Sequence, residues 1–163
     1  MRRPKPKPPR DDPDDAYAAA LRLLARREHG VLELTRKLQQ RGFTADAAGA
    51  GVERLVAEEL LSERRFAETM ARHRLFQGYG ETRIRAELAQ HAIDAADIDH
   101  AIEALEADWP AQAMHQARRH FGLPPATADD RKRVLRYLLQ RGFAAATANA
   151  GLARWRESEH SSE

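Results

Sequence analysis

The chain has 163 residues and a mass of 18.4 kDa, and 27 Lys and Arg against 25 Asp and Glu leave a formal net charge of only +2. That balance excludes a histone-like polycation, although it leaves room for a basic face. The absence of cysteine excludes disulfides, thiolate zinc sites and cysteine nucleophiles. No apolar run approaches the roughly 18 residues that span a bilayer, so we expect a soluble cytoplasmic protein.

The first element in the chain is a segment, residues 1–13, in which prolines alternate with charges. Such a composition cannot bury a core, and we expect a disordered tail there. Beyond it Ala, Leu, Arg and Glu dominate, whereas valine and isoleucine are scarce. Because the first group favours helices and the second favours strands, the composition predicts an all-α protein.

Three helical segments follow the tail. We expect the first to begin near Asp14, where carboxylates complement the positive end of the helix. The second stops at Gly42, which is typical of a helix C-cap, and Thr44 caps the third. The apolar stripe that we expect the first helix to bury consists of Tyr17, Leu21 and Leu24.

The same pattern returns with a period of fifty residues. The sequence LQQRGF at 38–43 returns as LLQRGF at 138–143, and LAQHAI stands between them at 88–93. The spacing predicts a three-helix unit present three times, which would stack into an elongated, curved body. The predicted parts are repeats at 14–61, 62–107 and 108–157 and a polar tail at 158–163.

One position departs from the repeated turn. Gly42 and Gly142 are expected to enter the left-handed region of backbone space, which costs glycine little. The middle repeat has Ala92 at this position. We therefore expect either a different exit from the helix there or a strain of about 1 kcal/mol.

The residues with catalytic or metal-binding chemistry do not form a recognisable site. None of the seven histidines belongs to an HExxH motif, and the few serines lie in a turn or near the C-terminus. GYG at 78–80 is too short for a phosphate-binding glycine loop and follows no predicted strand. We therefore predict no catalytic residue, no metal site and no cofactor.

Charge is the more informative feature of this sequence. The third helix of the middle repeat, about residues 94–108, has six carboxylates and no Lys or Arg, whereas the first and second helices and the third repeat are basic. This predicts an acidic edge and a separate basic face. A three-helix unit also resembles a DNA-binding helix-turn-helix, but phosphates would repel an acidic third helix. Contact with nucleic acid that does not depend on sequence remains open.

Several short segments together resemble the RecX family of bacterial regulatory proteins, over about residues 16–155. They are LLARRE at 23–28, ELTRKL at 33–38, RGF at 41–43, LLSERRFA at 60–67, GYGETRI at 78–84 and YLLQRGF at 137–143. The chain departs from the family at Gly30-Val31, where a serine-type cap is usual, and at Ala92, where glycine is usual.

The resemblance implies a modulator, usually an inhibitor, of the RecA recombinase. Such proteins bind the RecA filament on single-stranded DNA and suppress its ATPase, strand-exchange and co-protease activities, and so damp recombination and the SOS response. An elongated, charged protein without a catalytic site is compatible with that role. The alternative from the residues alone is a helical protein that binds nucleic acid without regard to sequence, with single-stranded DNA on its basic face.

We predict that basic residues of all three repeats form the surface that contacts the RecA filament or DNA. These predicted contact residues are Arg26, Arg27, Arg36, Lys37, Arg83, Arg85, Arg118, Arg119, Arg131, Lys132, Arg133, Arg136 and Arg141.

Overall fold

The computed structural model describes residues 8–160, and every regular secondary-structure element of more than one residue within that range is an α-helix. The helices are α1 (Pro13–Leu24), α2 (Val31–Gln40), α3 (Ala45–Ala57), α4 (Glu63–Phe76), α5 (Glu81–Gln90), α6 (Ala95–Glu103), α7 (Trp109–Phe121), α8 (Ala128–Gln140) and α9 (Ala145–His160). The prediction of an all-α protein is confirmed. None of these helices is long and apolar enough to cross a membrane.

The prediction of a disordered segment over 1–13 is wrong at its C-terminal end. Arg10 forms a one-residue parallel bridge with Phe43, and its guanidinium lies 4.0 Å from the centre of that ring. The Asp12 carboxylate accepts a hydrogen bond of 2.9 Å from the amide of Asp14 and caps α1. These residues are ordered because a local cap and a specific ring contact outweigh the proline-rich composition. Residues 1–7 lie outside the described residues.

Helix structure reaches into the polar segment at the other end of the chain, whose boundary at residue 158 stays a prediction. Helix α9 continues to His160, into the segment that was expected to be a polar tail, and the Ser158 hydroxyl donates a hydrogen bond of 2.8 Å to the backbone oxygen of Trp155. Residues 161–163 lie outside the described range.

Contacts along the chain define two compact units. Unit 1 extends to Ala67 and includes His91–Ile93, and unit 2 comprises Glu68–Gln90 and the chain from Asp94 onward. In unit 1, α1, α2 and α3 enclose a core that includes Leu34, Leu38 and Leu55. In unit 2, α7, α8 and α9 enclose an equivalent core around Leu138 and Trp155. The bounds given above for the three repeats stay predictions.

Of the stripe predicted for α1, Tyr17 and Leu24 are partly buried against the core, and the prediction is wrong at Leu21. Helix α1 packs closely on α3 through small residues. It buries Ala16, Ala19, Ala20 and Leu23, whereas Leu21 is 40% exposed. The reason is the short distance to Gly51 of α3, where an added Cβ would lie 2.8 Å from the backbone nitrogen of Tyr17. Only small side chains on α1 fit against that backbone.

The same crossing recurs one hundred residues further, that is two repeat periods, in α9. An added Cβ at Gly151 would lie 2.8 Å from the backbone oxygen of Pro110 and 2.9 Å from Cβ of Ala113. Arginines also recur at equivalent positions: Arg54 pairs with Asp14 of α1 at 3.2 Å, and Arg154 pairs with Asp108, the N-cap of α7, at 2.6 Å. The third helix of each of these repeats is thus tied to the start of its first.

The helix-ending turns adopt the conformation that the repeat predicts. Gly42 and Gly142 have φ of 91° and 87°, and Thr44 caps α3 by accepting a hydrogen bond from the amide of Ala47. Ala92 has φ of 59°, so it enters the same left-handed region. Of the two outcomes expected at Ala92, the structure therefore has the strained turn, with a cost of about 1 kcal/mol.

Candidate partner-binding surfaces

His29 is a buried polar side chain in the loop between α1 and α2 of unit 1. Its Nδ1 lies 3.0 Å from the backbone oxygen of Arg27, and its Nε2 lies 3.1 Å from Nζ of Lys37. Because an ammonium group can only donate, Nε2 accepts, and Nδ1 holds the proton and donates to the carbonyl. The surroundings therefore select a neutral imidazole of one tautomer.

Glu33 of α2 joins the same cluster from the solvent side. It pairs with Arg27 and lies 3.0 Å from Nζ of Lys37. Burial alone would raise the pKa of Glu33, but hydrogen bonds from Arg27 and Lys37 outweigh burial and lower the pKa to about 2. Burial lowers the pKa of His29. Two predicted contact residues thus stabilise the α1–α2 junction of unit 1.

Arg26 and Arg36 differ from these neighbours. Both side chains are exposed. Neither forms a hydrogen bond or an ion pair with any part of the chain that the structure describes. They are the predicted contact residues of unit 1 whose charges are available to a partner.

Tyr79 of unit 2 lies against two predicted contact residues. The guanidinium carbon of Arg83 is 4.2 Å from the ring centre, and that of Arg141 is 4.1 Å from it. Arg141 also donates to the backbone oxygens of Gln77 and Gly78, which satisfies carbonyls at the end of α4. Arg141 therefore joins the α8–α9 turn to the α4–α5 loop.

The arginines of helix α5 form ion pairs with carboxylates of α5 and α6. Nε of Arg83 donates to Glu87 at 2.9 Å, and Arg85 pairs with Glu81 at 2.7 Å and with Asp99 of α6 at 2.6 Å. Burial alone would raise the pKa of Glu87, but hydrogen bonds from Arg83 and then Arg74 outweigh it and lower that pKa. Asp99 of the acidic helix α6 thus pairs with an arginine of α5, and the separate acidic edge stays a prediction.

Most basic residues predicted on α7 and α8 also have polar partners. The pairs are Arg118 with Glu159 at 3.3 Å, Arg131 with Asn149 at 2.8 Å, Lys132 with Asp129 at 3.3 Å and Arg133 with Asp130 at 2.7 Å. The side chains of Arg119 and Arg136 are exposed and form no hydrogen bond or ion pair within residues 8–160. Like Arg26 and Arg36, they have charges that are available to a partner.

One exposed residue was missed by the sequence analysis. Phe76, the last residue of α4, is 87% exposed. The repeat contains a signal for this exposure, because the residues fifty positions away are Arg26 and Ala126, both of which are exposed. Phe76 therefore occupies a surface position of the repeat.

Within residues 8–160, no group of three His, Asp or Glu side chains is placed to hold a metal ion.

Two sequence profiles match consecutive parts of the chain. The profile described as "RecX, first three-helix domain" matches residues 16–55, and that described as "RecX, second three-helix domain" matches residues 62–102. Both matches fall within the first two repeats predicted from the fifty-residue period.

Full-length relatives show the same similarity. A protein named "Regulatory protein RecX" from Pseudomonas entomophila (strain L48) is 43% identical over 135 residues, which cover 82% of this chain and 87% of that protein. A protein of the same name from Pseudomonas fluorescens (strain SBW25) is 45% identical over 126 residues, with 77% and 81% covered.

Solved structures agree on the fold. The crystal structure of RecX from Lactobacillus salivarius superposes with a TM-score of 0.75 at 18% identity, covering 89% of this chain and 97% of that one. A second crystal structure, of a regulatory protein RecX, superposes with a TM-score of 0.70 at 20% identity, covering 85% of this chain and 70% of that one.

Proposed function

The chain belongs to the RecX family of regulatory proteins, and we propose that it binds the filament that RecA recombinase forms on single-stranded DNA. Bound there, it inhibits the ATPase, strand-exchange and co-protease activities of RecA and so modulates recombination and the SOS response. The observation that carries this proposal is the 43% identity to a regulatory protein over 82% of the chain.

The predicted contact residues differ in what each can contribute to such binding. Arg26, Arg36, Arg119 and Arg136 have no ion pair within the described residues, so each can pair with a carboxylate or a phosphate without losing an internal partner. A paired residue such as Arg85 must first give up its own carboxylates, which offsets most of the gain. We therefore assign the largest contributions to the four unpaired arginines and smaller ones to the rest of the predicted set.

Helix α8 offers the densest group of these residues. Arg131, Lys132 and Arg133 are exposed, and each contacts only a nearby side chain of α8 or α9. Exposed pairs of this kind contribute at most about 1 kcal/mol each, so a charge reversal leaves the fold intact. The group is therefore suited to a test of binding that does not disturb folding.

The test is DNA strand exchange by purified RecA in the presence of the full chain. Wild type inhibits the reaction, and a variant with Arg131, Lys132 and Arg133 all changed to Glu inhibits it less, with unchanged far-ultraviolet circular dichroism. The matched control is Arg22→Glu, which reverses an exposed charge outside the predicted set. Inhibition by the triple variant equal to that by wild type would refute the assignment of this surface.

The salt dependence of filament binding gives a second check. If charge drives the association, affinity falls steeply as ionic strength rises. If instead the chain binds bare single-stranded DNA as tightly as RecA-coated DNA, the function is sequence-independent nucleic-acid binding and the proposal is wrong.

A further inference from the structure

Phe76 exposes an aromatic ring beside further apolar surface in unit 2. Of the large apolar side chains in the described chain, it is the most exposed, at 87%. Leu75 and Leu105 lie next to it in one surface groove, and Tyr79 and Tyr137 lie next to it in another. An aromatic ring with apolar surface on both sides is typical of an interaction site rather than of an isolated exposed residue.

The two grooves have similar size and share one rim. The groove beside Leu105 has a volume of about 460 Å³, and the groove beside Tyr137 has a volume of about 560 Å³. Phe76, Gln116 and Arg119 line both of them. Each volume accommodates one or more amino-acid side chains, and the ring and the guanidinium stand where the grooves meet.

The charge at this rim is positive and only partly compensated, because Arg72 pairs with Glu68 at 3.6 Å. The grooves are lined by Arg72, Arg119 and Arg141 and by no Asp or Glu. The Arg119 side chain has no ion pair within the described residues, whereas Arg74 and Arg85 each pair with a carboxylate. A complementary ligand therefore combines apolar surface with a negative charge.

Nucleic acid fits this surface less well than a protein segment does. Single-stranded nucleic acid is held by successive stacking rings and a track of cations. Here the guanidinium groups of Arg83 and Arg141 lie over the Tyr79 ring, and His120 stacks on Tyr137 with centroids 4.0 Å apart, so neither tyrosine ring is free to stack on a base. The ring of Phe76 and the guanidinium of Arg119 remain available, and an aromatic side chain beside an arginine is typical of a hot spot in a protein–protein interface.

We propose that Phe76 and Arg119 together anchor a short segment of the protein partner. An apolar side chain of that segment packs against Phe76 in a flanking groove, and a neighbouring Asp or Glu pairs with Arg119. The inference rests on the proposed function, because RecA supplies the segment. The inference adds an apolar anchor to the basic contact surface, so that binding to the filament requires the Phe76 ring as well as the basic charges.

The test compares full-length variants in binding to purified RecA on a single-stranded oligonucleotide and to the same oligonucleotide alone. Phe76→Ala and Arg119→Glu each weaken filament binding at least tenfold, and the double variant loses less than the product of the two effects because the residues contact one segment. Binding to bare DNA changes less than twofold for Phe76→Ala. Phe76→Leu, which keeps an apolar side chain, retains most of the affinity.

Matched controls separate these effects from general ones. Leu123→Ala removes another exposed apolar side chain of unit 2, 78% exposed, and Arg22→Glu reverses another exposed charge. Both controls bind the filament within twofold of wild type. Circular dichroism of Phe76→Ala matches wild type, because a ring that is 87% exposed contributes little to the core.

Each remaining result overturns the inference in a recognisable way. If Phe76→Ala and Arg119→Glu bind the filament as wild type does, the anchor is wrong while the proposed function stands. If Phe76→Ala weakens binding to bare DNA and to the filament equally, the surface binds nucleic acid instead. If wild type itself does not bind the filament, the proposed function fails, and the anchor fails with it.

Discussion

Alanine at Gly142 destabilises the chain more than alanine at Gly42, although the two glycines occupy equivalent turns. Both have positive φ, 91° at Gly42 and 87° at Gly142. Alanine in the left-handed region destabilises the folded state by about 1–2 kcal/mol. Alanine also lowers the entropy of the unfolded chain, which offsets about 0.4–1 kcal/mol of that loss. Apart from the neighbouring residues in the chain, no atom lies within 4 Å of a methyl group added at Gly42, so Gly42→Ala costs only the difference between these two terms, about 0.5–1 kcal/mol.

At Gly142 the added methyl group has no space. It would lie 2.8 Å from the backbone nitrogen of Arg83 and closer still to Cβ of that residue. The start of α5 must move away, which strains the hydrogen bonds from Gly80 to Arg141 (2.9 Å) and from Thr82 to Gly142 (3.1 Å). At about 0.5–1.5 kcal/mol for each bond, the total cost of Gly142→Ala reaches about 2–4 kcal/mol.

Urea unfolding of both variants, followed by far-ultraviolet circular dichroism, measures this difference. Gly42→Ala serves as the matched control, because it has the same backbone strain without the steric overlap. Equal losses of unfolding free energy in the two variants would refute the close approach of the α8–α9 turn to α5.

Three further predictions concern stability. Ala92→Gly relieves the left-handed alanine at φ 59° and raises the free energy of unfolding by about 0.5–1 kcal/mol in urea. The pKa of Glu33, about 2 against an ordinary 4.5, gives stability that is complete above pH 4.5 and is lost toward pH 2, so Glu33→Gln costs about 2 kcal/mol near neutral pH and little near pH 2. Burial lowers the pKa of His29 from 6.5, so urea midpoints fall as pH drops below that value, and His29→Asn removes this part of the pH dependence.

Local features of the fold could be predicted from the sequence. The turns at Gly42 and Gly142 follow from the conformational freedom of one residue type, and the caps at Thr44 and Asp108 follow from hydrogen bonds within one turn. The buried stripe of α1 could not be predicted in this way. It depends on Gly51, which is distant in sequence. Because Gly51 has no side chain, α1 packs so close to α3 that Ala16 is buried in preference to larger side chains.

The state of the charged residues also depends on contacts between helices. The candidate set was chosen by sign and spacing. In the structure Arg85 pairs with Asp99 of the next helix as well as with Glu81 of its own, and Arg131 donates to Asn149. Neither of these contacts between helices follows from the sequence periodicity, and the Arg119 side chain has no ion pair within residues 8–160. The exposure of Phe76, in contrast, could be inferred from the equivalent positions in the repeat.

A titration of the full chain against RecA ATPase on single-stranded DNA tests the central claim most directly. The account predicts that ATP hydrolysis falls as the chain is added, and inhibition at substoichiometric amounts would indicate that it caps filament ends. ATP hydrolysis that stays at the uninhibited rate when the chain is in excess over RecA would contradict the account.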